Sequence, residues 1–305
     1  MRKYPFFCIC ALILAACKTA PPPPAPPPPE PEEMPFSALA FDRIEGSGIH
    51  QVVLYYHLET ENPRSTSMVF ELQNWKVKIN GHEPEPQAAV LKRDGAVFSH
   101  TKWKVAPGET QQMEFELHLD LNELAASVKE SGAGGYLRAN DKTFITELIL
   151  EPSYRYGTAA PLMDSLTALA EFPRIQEPVF SIITIAIMQA ELINTRFAVT
   201  LKIDNPNPFP VTLSSFKYEL YGHDMFWADG SERNVFTIPA MNSSEKKLFL
   251  VMNFIDMKRD LLDEIIAMEL VNYRFAGAAV VSTNISWLPQ FSMKFDRSGF
   301  SEVFE

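Results

Sequence analysis

The residues that could do chemistry begin with two histidine–carboxylate pairs, His82-Glu83 and His223-Asp224, each of which follows a glycine. An imidazole beside a carboxylate can contribute to a metal site, but a protein site usually needs three or four such ligands. One histidine and one acid are too few, and a polar hairpin end also explains why the pattern recurs. The two pairs are therefore interpreted as turns.

Two further patterns have the wrong spacing for a metal site. His50 and His57 lie seven residues apart on a predicted strand, which places their side chains on opposite faces. Residues 229–232, Asp-Gly-Ser-Glu, lack the remaining alternating oxygen ligands of a calcium loop. The sequence predicts neither a metal site nor a cofactor.

The sequence contains no recognisable motif for a catalytic nucleophile. A Gly-x-Ser-x-Gly elbow, a phosphate-binding loop and a zinc-protease helix do not occur in it. The three cysteines, Cys8, Cys10 and Cys17, all lie in the first 17 residues. The sequence therefore predicts a protein without catalytic activity.

Cys17 is the one residue with a predicted chemical role. The opening "MRKYPFFCICALILAACKTA" has two positive charges, an apolar stretch at 6–14 and small residues before Cys17, a pattern typical of a secretory signal. "LAAC" resembles a bacterial lipobox, in which the cysteine becomes the lipidated first residue. An ordinary signal peptide or a short membrane anchor is the alternative, although the apolar stretch is far below the roughly 20 residues of a spanning helix.

Processing before Cys17 would define the mature protein. Loss of residues 1–16 removes Arg2 and Lys3 and changes the net charge from −11 to −13. An acidic chain without a basic run is a poor candidate for binding nucleic acid or anionic lipid, so membrane contact is expected through the lipid on Cys17. Lys18 follows the cysteine where an aspartate would favour inner-membrane retention in enteric bacteria, which favours an outer-membrane lipoprotein facing the periplasm or the cell surface.

Residues 17–35 form a predicted linker. The segment "KTAPPPPAPPPPEPEEMP" at 18–35 is too rich in proline to bury a core and should adopt extended polyproline geometry. At about 3.1 Å per residue it would span roughly 55 Å as a semi-rigid spacer.

The remaining chain repeats one pattern twice, which predicts two domains at 36–160 and 177–305 with a linker at 161–176. Each repeat has an apolar strand, an acidic residue with Asn-Pro (Asn62-Pro63 and Asn205-Pro206) and a strand ending at a glycine turn. Each then has a strand of period-two alternation, which indicates a sheet with one buried face.

Short helices are predicted at three places. Asp120 is positioned to cap a helix after the alternating strand of the first repeat, and Asp256 is positioned to cap "MKRDLLDEIIAMEL" in the second. Leu162, Leu166 and Leu169 are predicted to form a short helix that docks across the joint between the domains.

The most distinctive stretch is "NPNPFP" at 205–210. Proline has no backbone donor, so Pro206, Pro208 and Pro210 should end strand pairing, while Asn205 and Asn207 can bond nearby backbone groups. The stretch is interpreted as a rigid crossover whose Phe209 turns inward to plug the core. The alternative is a loop that displays Phe209 to a ligand or partner.

"INTRFAVTLKIDNPNPFPVTLSSFKYELYG", followed by "IPA", "DLLDEI", "YRFAG" and "LPQFSMKFDRSGF", resembles the late embryogenesis abundant type 2 family, also called the water stress and hypersensitive response (WHy) domain. The resemblance is strong over 177–304 and weaker in the first repeat, which has "RSTS" in place of the second Asn-Pro. It implies two tandem immunoglobulin or fibronectin III-like antiparallel sandwiches, each with one short helix. The strand alternation and turn spacing agree with that fold.

The function that follows is a non-catalytic, membrane-anchored envelope lipoprotein, acting as an interaction or stress (desiccation) protection module. Water-stress tolerance is what the family resemblance implies. One alternative is a lipid or hydrophobic-ligand binding protein of the periplasm, since "PVFSIITIAIM" is apolar on both faces, although a strand buried on both faces would look the same. A second alternative is a structural partner of other envelope proteins.

Overall fold

Period-two alternation produces long antiparallel strands throughout the chain. The computed structural model describes residues 35–124, 142–189, 194–233, 236–253 and 270–304. Almost every described residue outside the turns lies in a strand, and the strands pair into four sheets that face each other two by two. The predicted fold class of antiparallel β-sandwiches is confirmed.

The first sandwich contains ten strands in two sheets. One sheet has the order β1-β2-β7-β4-β5 and the other β10-β8-β3-β6, with β9 paired to β8. Its strands are β1 Phe36–Gly46, β2 Gln51–Glu61, β3 Met68–Ile79, β4 Ala89–Arg93, β5 Ala96–Val97, β6 Thr101–Val105, β7 Thr110–Asp120, β8 Thr143–Tyr156, β9 Leu162–Met163 and β10 Leu166–Pro173.

The second sandwich contains nine described strands in two sheets. One sheet has the order β16-β12-β11-β19 and the other β14-β13-β17-β18, with β15 paired to β13. Among these described strands, only β11 and β19 pair in parallel. Its strands are β11 Val179–Gln189, β12 Asn194–Asp204, β13 Val211–Gly222, β14 Met225–Glu232, β15 Phe236–Ile238, β16 Ser243–Asn253, β17 Val271–Thr283, β18 Gln290–Ser301 and β19 Val303–Phe304.

The short helix predicted from Leu162, Leu166 and Leu169 is wrong. These residues lie in β9 and β10, and β10 pairs along its whole length with β8. From Leu166 to Phe172 every second side chain is buried, which is the period of a strand and not of a helix. The predicted linker at 161–176 therefore contains two strands of the first sandwich, and the connection to β11 is limited to residues 174–178.

The helix predicted after β7 begins where expected. Asp120 Oδ1 accepts hydrogen bonds from the backbone N–H groups of Asn122 (2.9 Å) and Glu123 (3.2 Å), which is the geometry of a helix N-cap, and a helical turn covers 121–124. The rest of the predicted segment lies outside the described residues. The helix predicted after Asp256 also lies outside them.

Each sandwich has its own hydrophobic core, and residues near the joint link the two cores. Trp287, in the turn between β17 and β18, packs against both cores, and its ring centroid lies 6.3 Å from that of Phe172. Ile49, from the turn between β1 and β2, belongs to the core of the second sandwich. A fragment limited to the predicted second domain, 177–305, would therefore lack Ile49 and Ile175 of the second core.

The strand β11 is apolar on both faces but is buried on only one. Phe180, Ile182 and Ile185 point into the second core, whereas Ile183 and Met188 are exposed. The expectation of a strand buried on both faces is therefore wrong, and the inner face is filled by core packing. Within the described residues, no helix has the length and apolar character needed to cross a membrane.

Gly277 provides a test of the packing of the second sandwich. It lies on β17 between Tyr218 of β13 and Phe295 of β18. A Cβ at this position would overlap the backbone carbonyl oxygen of Lys217 and approach Phe295 Cζ to 2.7 Å. Because backbone in the middle of a sheet cannot move without disturbing its pairing, Gly277→Ala is expected to lower the free energy of unfolding by about 1–3 kcal/mol in urea denaturation.

The control for this prediction is Gly48→Ala, because a Cβ at Gly48 would meet no atom within 4 Å. It is expected to change the free energy of unfolding by no more than about 0.5 kcal/mol. Equal stability of the two variants would contradict the packing described for β17.

Candidate functional site

The residues singled out by sequence fall into three places: Cys17, Asn62-Pro63 between β2 and β3, and the Asn-Pro stretch at 205–210. Cys17 lies outside the described residues. The Asn-Pro stretch at 205–210, called the motif loop from here on, connects β12 to β13. Its residues alternate in burial: Asn205, Asn207 and Phe209 are buried, Pro206 is half-buried, and Pro208 and Pro210 are exposed.

Asn205 is the centre of the motif loop. Its side-chain Nδ2 donates to three backbone carbonyl oxygens, those of Phe209 (2.8 Å), Pro239 (3.0 Å) and Ile238 (3.3 Å). Its Oδ1 accepts from the backbone N–H of Asn207 at 3.0 Å. One amide thus satisfies backbone groups of the loop itself and of the strand end near β15, in a region where prolines prevent regular pairing.

Asn62 makes the corresponding bonds in the first sandwich. Its Nδ2 donates to the carbonyl oxygens of Thr66 (2.9 Å), Val105 (3.1 Å) and Ala106 (3.1 Å), and its Oδ1 accepts from the N–H of Arg64 at 3.2 Å. In both sandwiches the first acceptor lies four residues after the asparagine, and the other two are consecutive residues at the end of a short strand. The neighbouring Pro63 is exposed.

Asn207 ties the motif loop to the connection between the sandwiches. Its Oδ1 accepts from the N–H of Gln176 and its Nδ2 donates to the carbonyl oxygen of the same residue, both at 2.8 Å. Its Nδ2 also donates to Asn205 Oδ1 at 3.0 Å. In the first sandwich Arg64 stands at this place, and its guanidinium lies 4.1 Å from the ring centroid of Tyr156. The second asparagine of the motif therefore positions the joint.

Phe209 points into the core of the second sandwich and is only 7% exposed. This is the inward position that the sequence predicts for Phe209. The exposed prolines lie on the opposite side of the loop, where their missing N–H groups need no partner. The motif loop uses its amides and its aromatic ring to hold the fold, and it leaves prolines at the surface.

The two histidine–carboxylate pairs are not structurally equivalent. Asn80 and Gly81 form the turn after β3, with φ of 49° and 85°, whereas His223 and Asp224 form the turn after β13, with φ of 50° and 64°. His82 therefore corresponds to Met225 and not to His223. Among the described residues, no group of three or more His, Cys, Asp or Glu side chains is placed to hold a metal ion.

The buried tyrosines do not offer an activated hydroxyl. Burial raises the pKa of Tyr56 and Tyr154 above the ordinary value, and it raises the pKa of Tyr218 to about 12. Each of these hydroxyls therefore stays protonated near neutral pH. The motif loop itself is a scaffold of hydrogen-bonded amides.

A cleft of about 660 Å³ lies at the joint between the sandwiches. The turn between β1 and β2, Glu177 and the first five residues of β18 line it. Sequence reasoning missed this cleft together with Gln176 and Trp287, because the residues that form the joint lie far apart in the sequence. The one local signal of the joint is Trp287, which lies two residues before Pro289 in the turn between β17 and β18.

Comparison with solved structures finds similar chains, each with a TM-score below 0.5. A crystal structure of a protein from Archaeoglobus fulgidus is 16% identical, with 42% of this chain and 96% of that chain covered and a TM-score of 0.26. A solution structure of an Arabidopsis thaliana protein is 10% identical, with 43% and 85% covered and a TM-score of 0.34. The periplasmic chaperone SfaE is 10% identical, with 88% and 100% covered and a TM-score of 0.23. No curated protein matches the sequence.

A family model gives the more specific result. Residues 200–294 match the family described as late embryogenesis abundant protein, LEA_2. The matched segment begins in β12, contains the whole motif loop and ends in β18. Over this segment the second sandwich is similar to the late embryogenesis abundant type 2 family.

Proposed function

We propose that this protein is a non-catalytic interaction or stress-protection module, tethered to a membrane of a bacterial envelope by a lipid on Cys17. The non-catalytic part of the proposal rests on the motif loop, because the side-chain amides of Asn205 and Asn207 form hydrogen bonds to backbone groups of the fold. The family match supports a stress-related or interaction module. The lipid anchor is supported by the "LAAC" pattern.

The first sandwich is proposed to be a divergent member of the same family. The supporting observation is that Asn62 repeats the bonding pattern of Asn205, with three backbone carbonyl acceptors and one N–H donor two residues further on. It differs where Arg64 replaces the second asparagine. In this proposal the first sandwich keeps the scaffold of the motif, while the bond to the joint belongs to the second sandwich.

A hydrophobic ligand is the second candidate. Ile183 and Met188 of β11 expose apolar side chains on the outer face of their sheet. A lipid that copurifies with the protein in native mass spectrometry would support this candidate, and specific protein crosslinks in living cells would support the interaction module.

Membrane tethering is tested by Cys17→Ser. The variant is expected to leave the membrane fraction, or to accumulate as an unprocessed precursor, because the acylated sulfur would be the sole attachment. Fractionation followed by immunoblotting measures both outcomes. Cys10→Ser is the control and is expected to stay membrane-bound, since Cys10 lies in the segment removed by processing. Membrane retention of a fully cleaved Cys17→Ser protein would overturn the proposal.

A further inference from the structure

The strand β16 forms the edge of its sheet. Within the described part of the chain it pairs with β12 and with no other strand. Its last six residues, 248–253, carry no charge, and Phe249 and Val251 point outward with 71% and 60% of their surface exposed. These six residues are called the β16 edge. Natural sheet edges usually carry charges, prolines or bulges that discourage pairing.

The other long edge strands show such protection. Asp42 and Arg43 lie within β1 beside a bulge, and Asp229 lies within β14. Lys294, Asp296 and Arg297 occupy the middle of β18. The first half of β16 is protected too, since Lys246 pairs with Glu232 of β14 at 3.8 Å. The first six residues of β1, 36–41, are also uncharged, but β1 contacts β10, whereas the β16 edge pairs with β12 and with no other described strand.

The first sandwich shows what occupies the same position there. The strand that corresponds to β16 is β7. The residue four positions before Asn62 is Leu58, which pairs with Met113 of β7. The residue four positions before Asn205 is Leu201, which pairs with Lys246 of β16. Counting from these pairs, residues 116–119 of β7 correspond to 249–252 of β16. The strand β4 pairs with those four residues of β7, from Lys92 opposite Glu116 to Ala89 opposite Leu119. The position filled by β4 in the first sandwich has no strand among the described residues of the second.

Prolines explain why the two sandwiches differ. After the turn at Asn80-Gly81, Pro84 and Pro86 cannot continue a strand paired with β3, and the chain crosses to the opposite sheet as β4. After the turn at His223-Asp224 there is no proline, and β14 continues the hairpin on β13. The segment that corresponds to β4 therefore forms β14 in the sheet opposite β16 and does not pair with β16.

The register of β4 defines the chemistry of a strand that would fit. β4 runs antiparallel to β7, with the small Ala89 and the branched Leu91 buried in the core and with Val90 and Lys92 on the outer face. On β16, Leu250 points inward and Phe249 and Val251 point outward in the same alternation. A matching strand needs apolar residues at alternate positions and no proline.

We propose that the β16 edge binds an extended segment of a partner polypeptide, which adds antiparallel to β16 as β4 adds to β7. The backbone hydrogen bonds supply affinity, and the alternate apolar side chains supply register. This inference deepens the proposed interaction function and rests on it.

The test uses the chain from Pro35 onward, which forms one compact unit and contains no cysteine. The probe is a fluorescent peptide with the sequence of residues 87–93, Gln-Ala-Ala-Val-Leu-Lys-Arg, and binding is measured by anisotropy. The peptide is expected to bind, and its Leu91→Pro form is expected to bind at least tenfold more weakly because proline cannot pair within a strand. Equal binding of the two peptides, or no binding of either, would overturn the proposal.

Disulfide trapping tests the register. A peptide with Val90→Cys is expected to crosslink to Val251→Cys protein at least tenfold more than to Phe249→Cys protein, since Val90 lies opposite His118, the counterpart of Val251. Phe226→Cys, on β14, is a control of similar exposure. Equal crosslinking at 249 and 251 would contradict strand addition. Crosslinking of Phe249→Cys protein to Val251→Cys protein without peptide would replace the proposed partner with a second copy of the chain.

Failure of this inference is distinguishable from failure of the proposed function. The peptide experiments use a soluble chain and are independent of Cys17. A negative result would leave membrane tethering and crosslinks to other surfaces intact, whereas membrane retention of the cleaved Cys17→Ser protein would leave the β16 edge untouched.

Discussion

Replacing Asn205 by aspartate is expected to unfold the second sandwich under conditions in which the wild-type chain is folded. The carboxylate has the shape of the amide but no N–H, so the carbonyl oxygens of Phe209, Ile238 and Pro239 lose their donor. Each unsatisfied buried group costs about 1–3 kcal/mol. A combined loss of roughly 5 kcal/mol is comparable to the whole stability of many domains. Thermal unfolding followed by tryptophan fluorescence measures the effect.

The pH dependence of the Asn205→Asp variant provides a second readout. Burial and three facing carbonyl oxygens favour the neutral acid, so the pKa of the introduced carboxyl is expected to be raised in the folded state. A raised folded-state pKa means that the folded chain binds more protons, so the variant should become more stable as pH falls toward the unfolded value of about 4. Asn272→Asp, at an exposed position of β17, is the control. A destabilisation shared by both variants would contradict the role assigned to Asn205.

Phe209→Ala is expected to lower the free energy of unfolding by roughly 3–5 kcal/mol. The ring is buried in the second core, and its removal forfeits transfer free energy and leaves a cavity. Urea denaturation measures the change. Phe226→Ala is the matched control, because Phe226 is 54% exposed and its truncation should change stability by no more than about 0.5 kcal/mol. A loss below about 1 kcal/mol for Phe209→Ala would reverse the assignment and make the motif loop a binding surface.

The sequence by itself determined the local chemistry of this protein. Period-two alternation of apolar residues identifies strands because successive side chains of a strand point to opposite faces. The Asn-Pro stretch identifies a crossover because proline removes backbone donors and asparagine replaces them. The helix N-cap at Asp120 can also be predicted from the sequence, because its partners, Asn122 and Glu123, are only two and three residues away.

The tertiary structure decided the features whose partners are distant in sequence. Leu162, Leu166 and Leu169 fit a helix by spacing alone, but the available edge of β8 gives this segment a strand's hydrogen bonds. Asn207 bonds to Gln176, 31 residues earlier, and no local pattern indicates that pair.

The tertiary structure also decided which sheet the chain joins after the turns that follow β3 and β13. Pro84 and Pro86 show in the sequence that the hairpin on β3 cannot continue. Only the folded molecule shows that the diverted strand, β4, pairs with β7 and that no described strand takes the corresponding place beside β16. Local sequence fixes which backbone groups can pair. The choice among possible partners depends on which strands the fold brings within hydrogen-bonding distance.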